Sequence, residues 1–582
     1  MSLKTLKAPA RTEFLTPAMV AWRRTMIVLL AGSFVNSWFG VRRGLTEFFL
    51  HRQDDPVVAV SFVLLLSLYL ARPLPASATS SPKGWPAGVA MALAVGSFAW
   101  LGSLIVYESY PLSMDEFLQV FDADIFRHGE LAAMVPSAWK AYVPALLPQF
   151  GLPVPGYAYW VSNYLPVNAI FRALGASLGA ETLISPLWAA ISVLATFGVA
   201  RRLWPEKPGI AVAASVLLAT SAQLLVTGMT AYAMSAHLAL NMVWLWLVLR
   251  GGKLGHGAAA MVAFLATGLH QIIFHPLFAA PFVLEFWLAR RWGAALFHTC
   301  AYAVIGVFWM LYPPVLLHSL GVVSVAAASA GDAGIAARVL GLVTAFDPRG
   351  VGMMAQNLVR FCSWQSLLTI PLLLLAIPPA LRGPGPLRAM ALGILLTLAA
   401  MLVLLPYQGH GWGYRYLHGM LGSTCLLAAW AWFRLTDGAE ATSPGMPRTV
   451  FLIAAAASVL VLLPIRLWQV HDFVHPYATA SREIRRMDVD LVLVDDTGVV
   501  FGTDLVRNDP FLTTRPVVMR LGTLGPKSLR NLCATHSVRL YGQPDAKRAG
   551  IMMFEDKSKP TRVQREVLSE PLCGAVAGDR AR

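Results

Sequence analysis

The chain has 582 residues, of which 57% are hydrophobic and only 13% charged, about half the charged share of a soluble domain; an ordinary soluble enzyme is excluded. Its net charge of +15 does not point to nucleic acid. The Lys and Arg residues stand at the ends of apolar runs, and no basic stripe with interleaved aromatics occurs.

The first apolar run, 25–41, follows Lys4, Lys7, Arg11, Arg23 and Arg24. It reads as an uncleaved first helix, because no clean small-residue cleavage site follows and further apolar runs do. Thirteen spans are expected, near 25–41, 56–71, 87–107, 182–200, 209–228, 232–250, 257–271, 272–289, 294–317, 366–381, 387–406, 414–433 and 449–468. With the N-terminus in the cytoplasm, the short basic loops at 200–208, 250–257, 289–293, 381–388 and 434–448 all fall inside, as the positive-inside rule requires. The loop holding Arg42, Arg43 and Arg52 is the exception. If the first two spans form one interfacial hairpin, every later side is kept.

Outside lie two large loops, 108–181 and 318–365, the turn PYQGHGWGYRYLHG (406–419), and everything beyond about 470. The tail carries the strand-like run VDLVLVDDTGVVF (489–501) with a turn at Thr497–Gly498. The organisation expected is a transmembrane domain over 1–469 and a small extracytoplasmic α/β domain over 470–582. Of five cysteines, Cys533 and Cys573 share the tail, where oxidising surroundings permit a disulfide, though two unrelated thiols fit as well.

Residues 111–131 read PLSMDEFLQVFDADIFRHGEL. Ser113 and Glu116 have capping-box spacing, and Phe117, Phe121 and Ile125 with Leu118 form an apolar face suited to the membrane surface, with Asp122, Arg127 and His128 turned away. The helix dipole alone accounts for Glu116. Asp115 stands where the chain leaves a span, at the boundary between lipid headgroups and water, and a carboxylate there suits general-base work on a hydroxyl or amine. Asp115, Glu116, Asp122 and Asp124 also offer oxygen ligands, so a divalent cation is left open.

An Asp-Glu pair after an N-terminal span, followed by a helix ending in His-Gly, resembles the first extracytoplasmic loop of GT-C glycosyltransferases, among them protein O-mannosyltransferases and lipid A aminoarabinose transferases. VSNYLPVNAIFRALGA (161–176), which holds Tyr164, and GHGWGYRYLHGMLG (409–422), with its Arg-Tyr pair, are similar to later loops of that superfamily. One departure stands: here the acid pair follows the third span rather than the first.

The resemblance implies a GT-C-like helical bundle in a bacterial inner membrane with its site facing the periplasm. It further implies transfer of a sugar from a polyprenyl-phosphate carrier to a glycan, lipid or protein acceptor, with inversion at the anomeric carbon. Asp115 is then the base, with Glu116 beside it. Arg415 is the phosphate clamp, because a guanidinium fork fits phosphate, and Tyr414, His410 and His418 flank it.

In GLHQIIFHPLF (268–278), His270 and His275 lie five apart. That spacing is poor for a shared helical metal site, so hydrogen bonding to substrate is the reading adopted. Asp332, Asp347, Arg349 and Arg360 mark a loop with the composition of a lid or of a plain solvated connection. Trp139, Tyr142, Tyr157, Tyr159, Trp160 and Tyr164 suit either a sugar platform or an interfacial belt. Rival functions are a polysaccharide polymerase or ligase using a diphosphate-linked donor, a lipid or glycan transporter, and a non-catalytic assembly component.

Overall fold

The computed structural model describes residues 48–68, 71, 84–152, 154–322, 348–436 and 445–554. The run at 25–41, Asp332, Asp347 and Cys573 lie outside the described residues. Among the described residues, five helices are long and apolar enough to cross a membrane: Trp85–Ile105 (α1), Glu181–Leu203, Trp292–Ser319, Gly385–Leu404 and Met446–Arg485. A helix rises about 1.5 Å per residue, so the 21 residues of α1 match a hydrocarbon core about 30 Å thick.

The other expected spans are less regular. Pro208–Ala219, Met234–Arg250, Phe274–Leu288 and Thr369–Leu381 are apolar but shorter. The run expected at 209–228 breaks at Thr220, and Ser221 caps a new short helix by accepting from Leu224 N at 3.4 Å. Among the described residues, the expected spans therefore differ in length and regularity.

The last membrane helix does not stop near 470. Met446–Arg485 runs for 40 residues, about 60 Å at the helical rise, or twice the apolar thickness of a bilayer. A π turn at Ser458–Leu462 interrupts it, where Ser458 Oγ accepts from Leu367 N at 3.0 Å; a side chain engaged in this way is a common cause of such a turn. Its second half, Leu463–Arg485, leads directly into the tail.

There, Leu491–Val494 (β3) lies between Val517–Arg520 (β4) and Val538–Tyr541 (β5) in a parallel sheet. Every residue of the central strand LVLV is buried, as a strand covered on both faces must be. The tail thus holds a three-stranded parallel sheet, whose first strand starts some twenty residues after position 470. Cys533 is disulfide-bonded; Cys573, the other cysteine of the tail, lies outside the described residues.

One face of that sheet is covered by the first large loop. The loop helix Met114–Arg127 (α2) and a two-stranded ribbon, Ala133–Met134 (β1) against Tyr159–Trp160 (β2), share a single core with the tail. Phe117, Leu118, Phe121 and Ile125 of α2 pack in one cluster with Leu491, Leu493, Val517 and Met519. The apolar face of α2 therefore does not lie on the membrane surface. A segment of the same chain far away in sequence buries it, at roughly 1.5–3 kcal/mol for each large side chain removed from water. Arg507 fastens the junction: it donates to the carbonyls of Pro111 and Leu112 and lies over the Tyr110 ring at 4.2 Å.

Candidate active site

Helix α2 starts with Ser113 as N-cap, its Oγ accepting from Glu116 N at 3.3 Å. The first turn then points two successive carboxylates in different directions. Asp115 lines a small cavity of about 40 Å³ with Gln119, Tyr232, His237, Asn241, His270, Phe274, Arg415 and Met420 among its walls. Glu116 lines a second one of about 330 Å³, together with Tyr107, Arg172 and Ser185.

Asp115 is 7% exposed. Its Oδ2 accepts from Arg415 at 2.5 Å and its Oδ1 accepts from the Tyr164 hydroxyl. The Tyr164 ring stacks on His270 with centroids 4.0 Å apart. Burial pushes the Asp115 carboxyl up, but the charge and hydrogen bond of Arg415, then His270 and Tyr164, outweigh it and hold the group below the ordinary aspartate range. The side chain is therefore a carboxylate at neutral pH. Arg415 is held charged in turn, its pKa raised well above the ordinary value as Asp115 and the tyrosines outweigh its burial.

Arg415 comes from the 406–419 turn, which is braced from behind. Gly413 adopts φ +67°, and a Cβ there would meet Gln223 at 2.9 Å and Trp364 at 3.1 Å, so the close approach needs glycine. Gln408 donates to Gly413 O at 2.8 Å and accepts from Arg415 N at 3.0 Å. Gln223 donates to Tyr414 O at 2.8 Å. Arg360 donates to Gly411 O at 2.5 Å and to Asp54 Oδ2 at 3.1 Å. Asp54 also accepts from Ser363, Trp364 and Arg466, and Asp54, Arg360 and Arg466 are all fully buried. Arg360, expected in an outer loop that suits a lid or a plain solvated connection, is instead an internal strut.

Glu116 is fully buried. Its two oxygens accept from Tyr107 OH at 2.8 Å and Ala231 N at 2.9 Å. Burial drives its pKa to about 7 against these lowering bonds. It joins α2 to the chain before Met234–Arg250 (α3), rather than serving the dipole alone or sharing the cavity of Asp115.

The other expected residues divide. His270 and Tyr164 stand at Asp115. His275 is buried between Asn241 Oδ1 at 2.7 Å and Tyr302 OH at 2.8 Å, and His418 Nδ1 is 3.1 Å from Met234 O. His410 Nδ1 lies 3.0 Å from Tyr232 OH, packed against Phe49 and Phe473. These three histidines and Tyr414 are not among the cavity's lining residues.

The four acids considered for a cation diverge as well. Asp122 is buried, with its pKa pushed up to about 7 by desolvation, and Asp124 pairs with Arg127 at 3.2 Å. Trp139, Trp160 and Tyr164 are buried, and Trp160 Nε1 donates to Pro510 O at 2.8 Å; these three form neither a belt nor an open platform.

Sequence reasoning missed Tyr232, Gln119, His237 and Asn241. Tyr232 OH accepts from Ser113 Oγ at 2.7 Å, and its ring faces the Arg415 guanidinium at 5.9 Å. Within the cavity wall, Arg415 Nε, Gln119 Nε2 and both ring nitrogens of His237 have no protein partner among the described residues. Buried polar atoms of this kind are the ones a polar ligand would satisfy.

No family model and no curated protein matches the sequence. Among solved structures, the chain is similar to ArnT from Cupriavidus metallidurans in the apo state, with TM-score 0.49 and 12% identity over 79% of this chain and 94% of that one. It is also similar to the same protein bound to undecaprenyl phosphate, with TM-score 0.45 and 14% identity over 81% and 88%. A third is the Archaeoglobus fulgidus oligosaccharyltransferase tethered with an acceptor peptide, with TM-score 0.41 and 12% identity over 68% and 57%.

Proposed function

We propose that the chain is an inverting glycosyltransferase that moves a sugar from a polyprenyl-phosphate carrier to a cell-envelope acceptor on the extracytoplasmic side. The observation that carries this reading is the pairing of Asp115 and Arg415 at 2.5 Å in one cavity. Its wall combines polar groups, Gln119, His237 and Asn241, with apolar Phe274 and Met420. A sugar phosphate on a prenyl chain presents both kinds of surface.

The roles follow from charge. The acceptor oxygen or nitrogen attacks the anomeric carbon as the bond from that carbon to the phosphate oxygen breaks. The attacking atom's proton passes to Asp115, and the polyprenyl phosphate leaves with the bonding electrons. Negative charge grows on the phosphate during this step, and a guanidinium fixed in a partly dry site stabilises it most where it grows. Donor phosphate draws Arg415 away from Asp115, which frees the carboxylate and restores part of its basicity. Tyr164 and His270 keep that carboxylate oriented.

The test is sugar transfer by the purified protein from polyprenyl-phosphate-linked donors. Asp115→Asn is expected to fold normally and to lose about 10²- to 10⁴-fold in kcat, the usual worth of a general base. Full transfer by that variant, or lipid flux through it at the native rate, contradicts the reading.

A further inference from the structure

Away from the Asp115 cavity, the exit of α1 meets the long helix that leads into the tail. Glu108 follows directly on α1. His471 and His475 stand one turn apart on Leu463–Arg485 (α4). His475 Nδ1 lies 2.5 Å and His471 Nδ1 3.8 Å from the same oxygen, Glu108 Oε1, and the ligand atoms of all three lie within 4.8 Å of one another. The other oxygen, Oε2, accepts from Arg482 at 2.6 Å, and His471 Nδ1 is also 3.3 Å from Val106 O. None of the three residues lines either cavity described above.

We propose that Glu108, His471 and His475 bind one divalent transition-metal ion of the zinc type. Two histidines at i and i+4 on one helical face, with a carboxylate from another segment, are the donor set such an ion prefers. A tetrahedral ion with ligands at about 2.0–2.1 Å holds them roughly 3.3 Å apart. The two distances to Oε1 bracket that value, so small side-chain rotations suffice. Arg482 on Oε2 is the kind of outer partner that fixes a ligating carboxylate and leaves its second oxygen for the metal.

His471 and His475 are about half exposed, so an ion reaches them from water, and a fourth position stays open to a water molecule. Glu108 and the following Ser109 both adopt φ +51°, left-handed backbone that two non-glycine residues hold only under constraint. A bound ion would tie this turn to α4, seven residues before Asp115 and next to Tyr107, which holds Glu116.

The experiment uses the full chain, purified without a polyhistidine tag and stripped with chelator, titrated with zinc chloride by calorimetry and with cobalt followed by visible absorption. One equivalent is expected to bind and to raise Tm. His471→Ala, His475→Ala and Glu108→Gln should each weaken binding at least about tenfold and remove the gain in Tm. The metal-free Tm of each variant, compared with that of the metal-free native chain, separates lost ligation from lost folding. Undiminished binding in the double histidine variant, binding that instead disappears in Cys300→Ser, or no saturable binding overturns the proposal.

Discussion

At the scale of single residues, the structure moves the titrations of two adjacent carboxylates in opposite directions. Asp115 is held ionised by Arg415, and Glu116 is pushed to about 7 by burial. The signs lead to separate pH effects. The acid limb of the transfer rate, set by Asp115 in the free enzyme, should fall below the ordinary aspartate range and leave a plateau through neutral pH. Glu116 has a folded pKa above its unfolded value of 4.5. Its protonated form therefore adds stability that is complete below about 4.5 and is lost as pH rises through about 7, a span on the order of 3 kcal/mol. Thermal unfolding in detergent should show Tm falling over that window in the native chain and a flatter profile in Glu116→Gln. For Arg415→Lys the charge survives but the fork does not; the expected outcome is a raised KM for the lipid-linked donor with a further loss in kcat, read from initial rates.

At the scale of elements, α2 holds Asp115 only because two distant segments hold α2. Arg507→Ala removes two charge-assisted bonds to the carbonyls of Pro111 and Leu112, each worth about 1.5–3 kcal/mol. It should lower Tm and slow transfer although Arg507 lines neither cavity. Asp54→Ala leaves Arg360 and Arg466 buried without their shared counter-charge, a defect that costs about 3–5 kcal/mol and loosens the turn carrying Arg415. Poor expression and a lowered Tm are the expected readouts.

The sequence made part of this legible. Asp115 and Arg415 stand out because charged groups are rare in so apolar a chain, and each sits in a loop whose side can be counted from basic flanks. The cap of α2 is local and was readable. The partner of its apolar face was not, because amphipathicity says that a face is buried without saying against what. Tyr232, His237 and Asn241 were hidden for a related reason: they sit within largely apolar runs, and their contacts reach across the chain, as between Ser113 and Tyr232, 119 residues apart. The helix that leads into the tail continues past the point near 470 where hydropathy falls.

At the scale of the whole molecule, the bundle, first loop and tail form one support for a cavity at the end of the membrane helices. If that cavity opens to the extracytoplasmic side, a cysteine placed at exposed Lys527 in the tail helix will react with a membrane-impermeant maleimide in intact cells. Labelling only after lysis would put the site on the wrong side. The most direct measurement is equilibrium binding of polyprenyl phosphate to the purified chain and to Arg415→Ala. Saturable binding of one lipid, weakened about tenfold or more in the variant (roughly 1.4 kcal/mol), is the result predicted. Equal binding by both proteins would mean that Arg415 does not hold the carrier's phosphate, and would contradict the account at its centre.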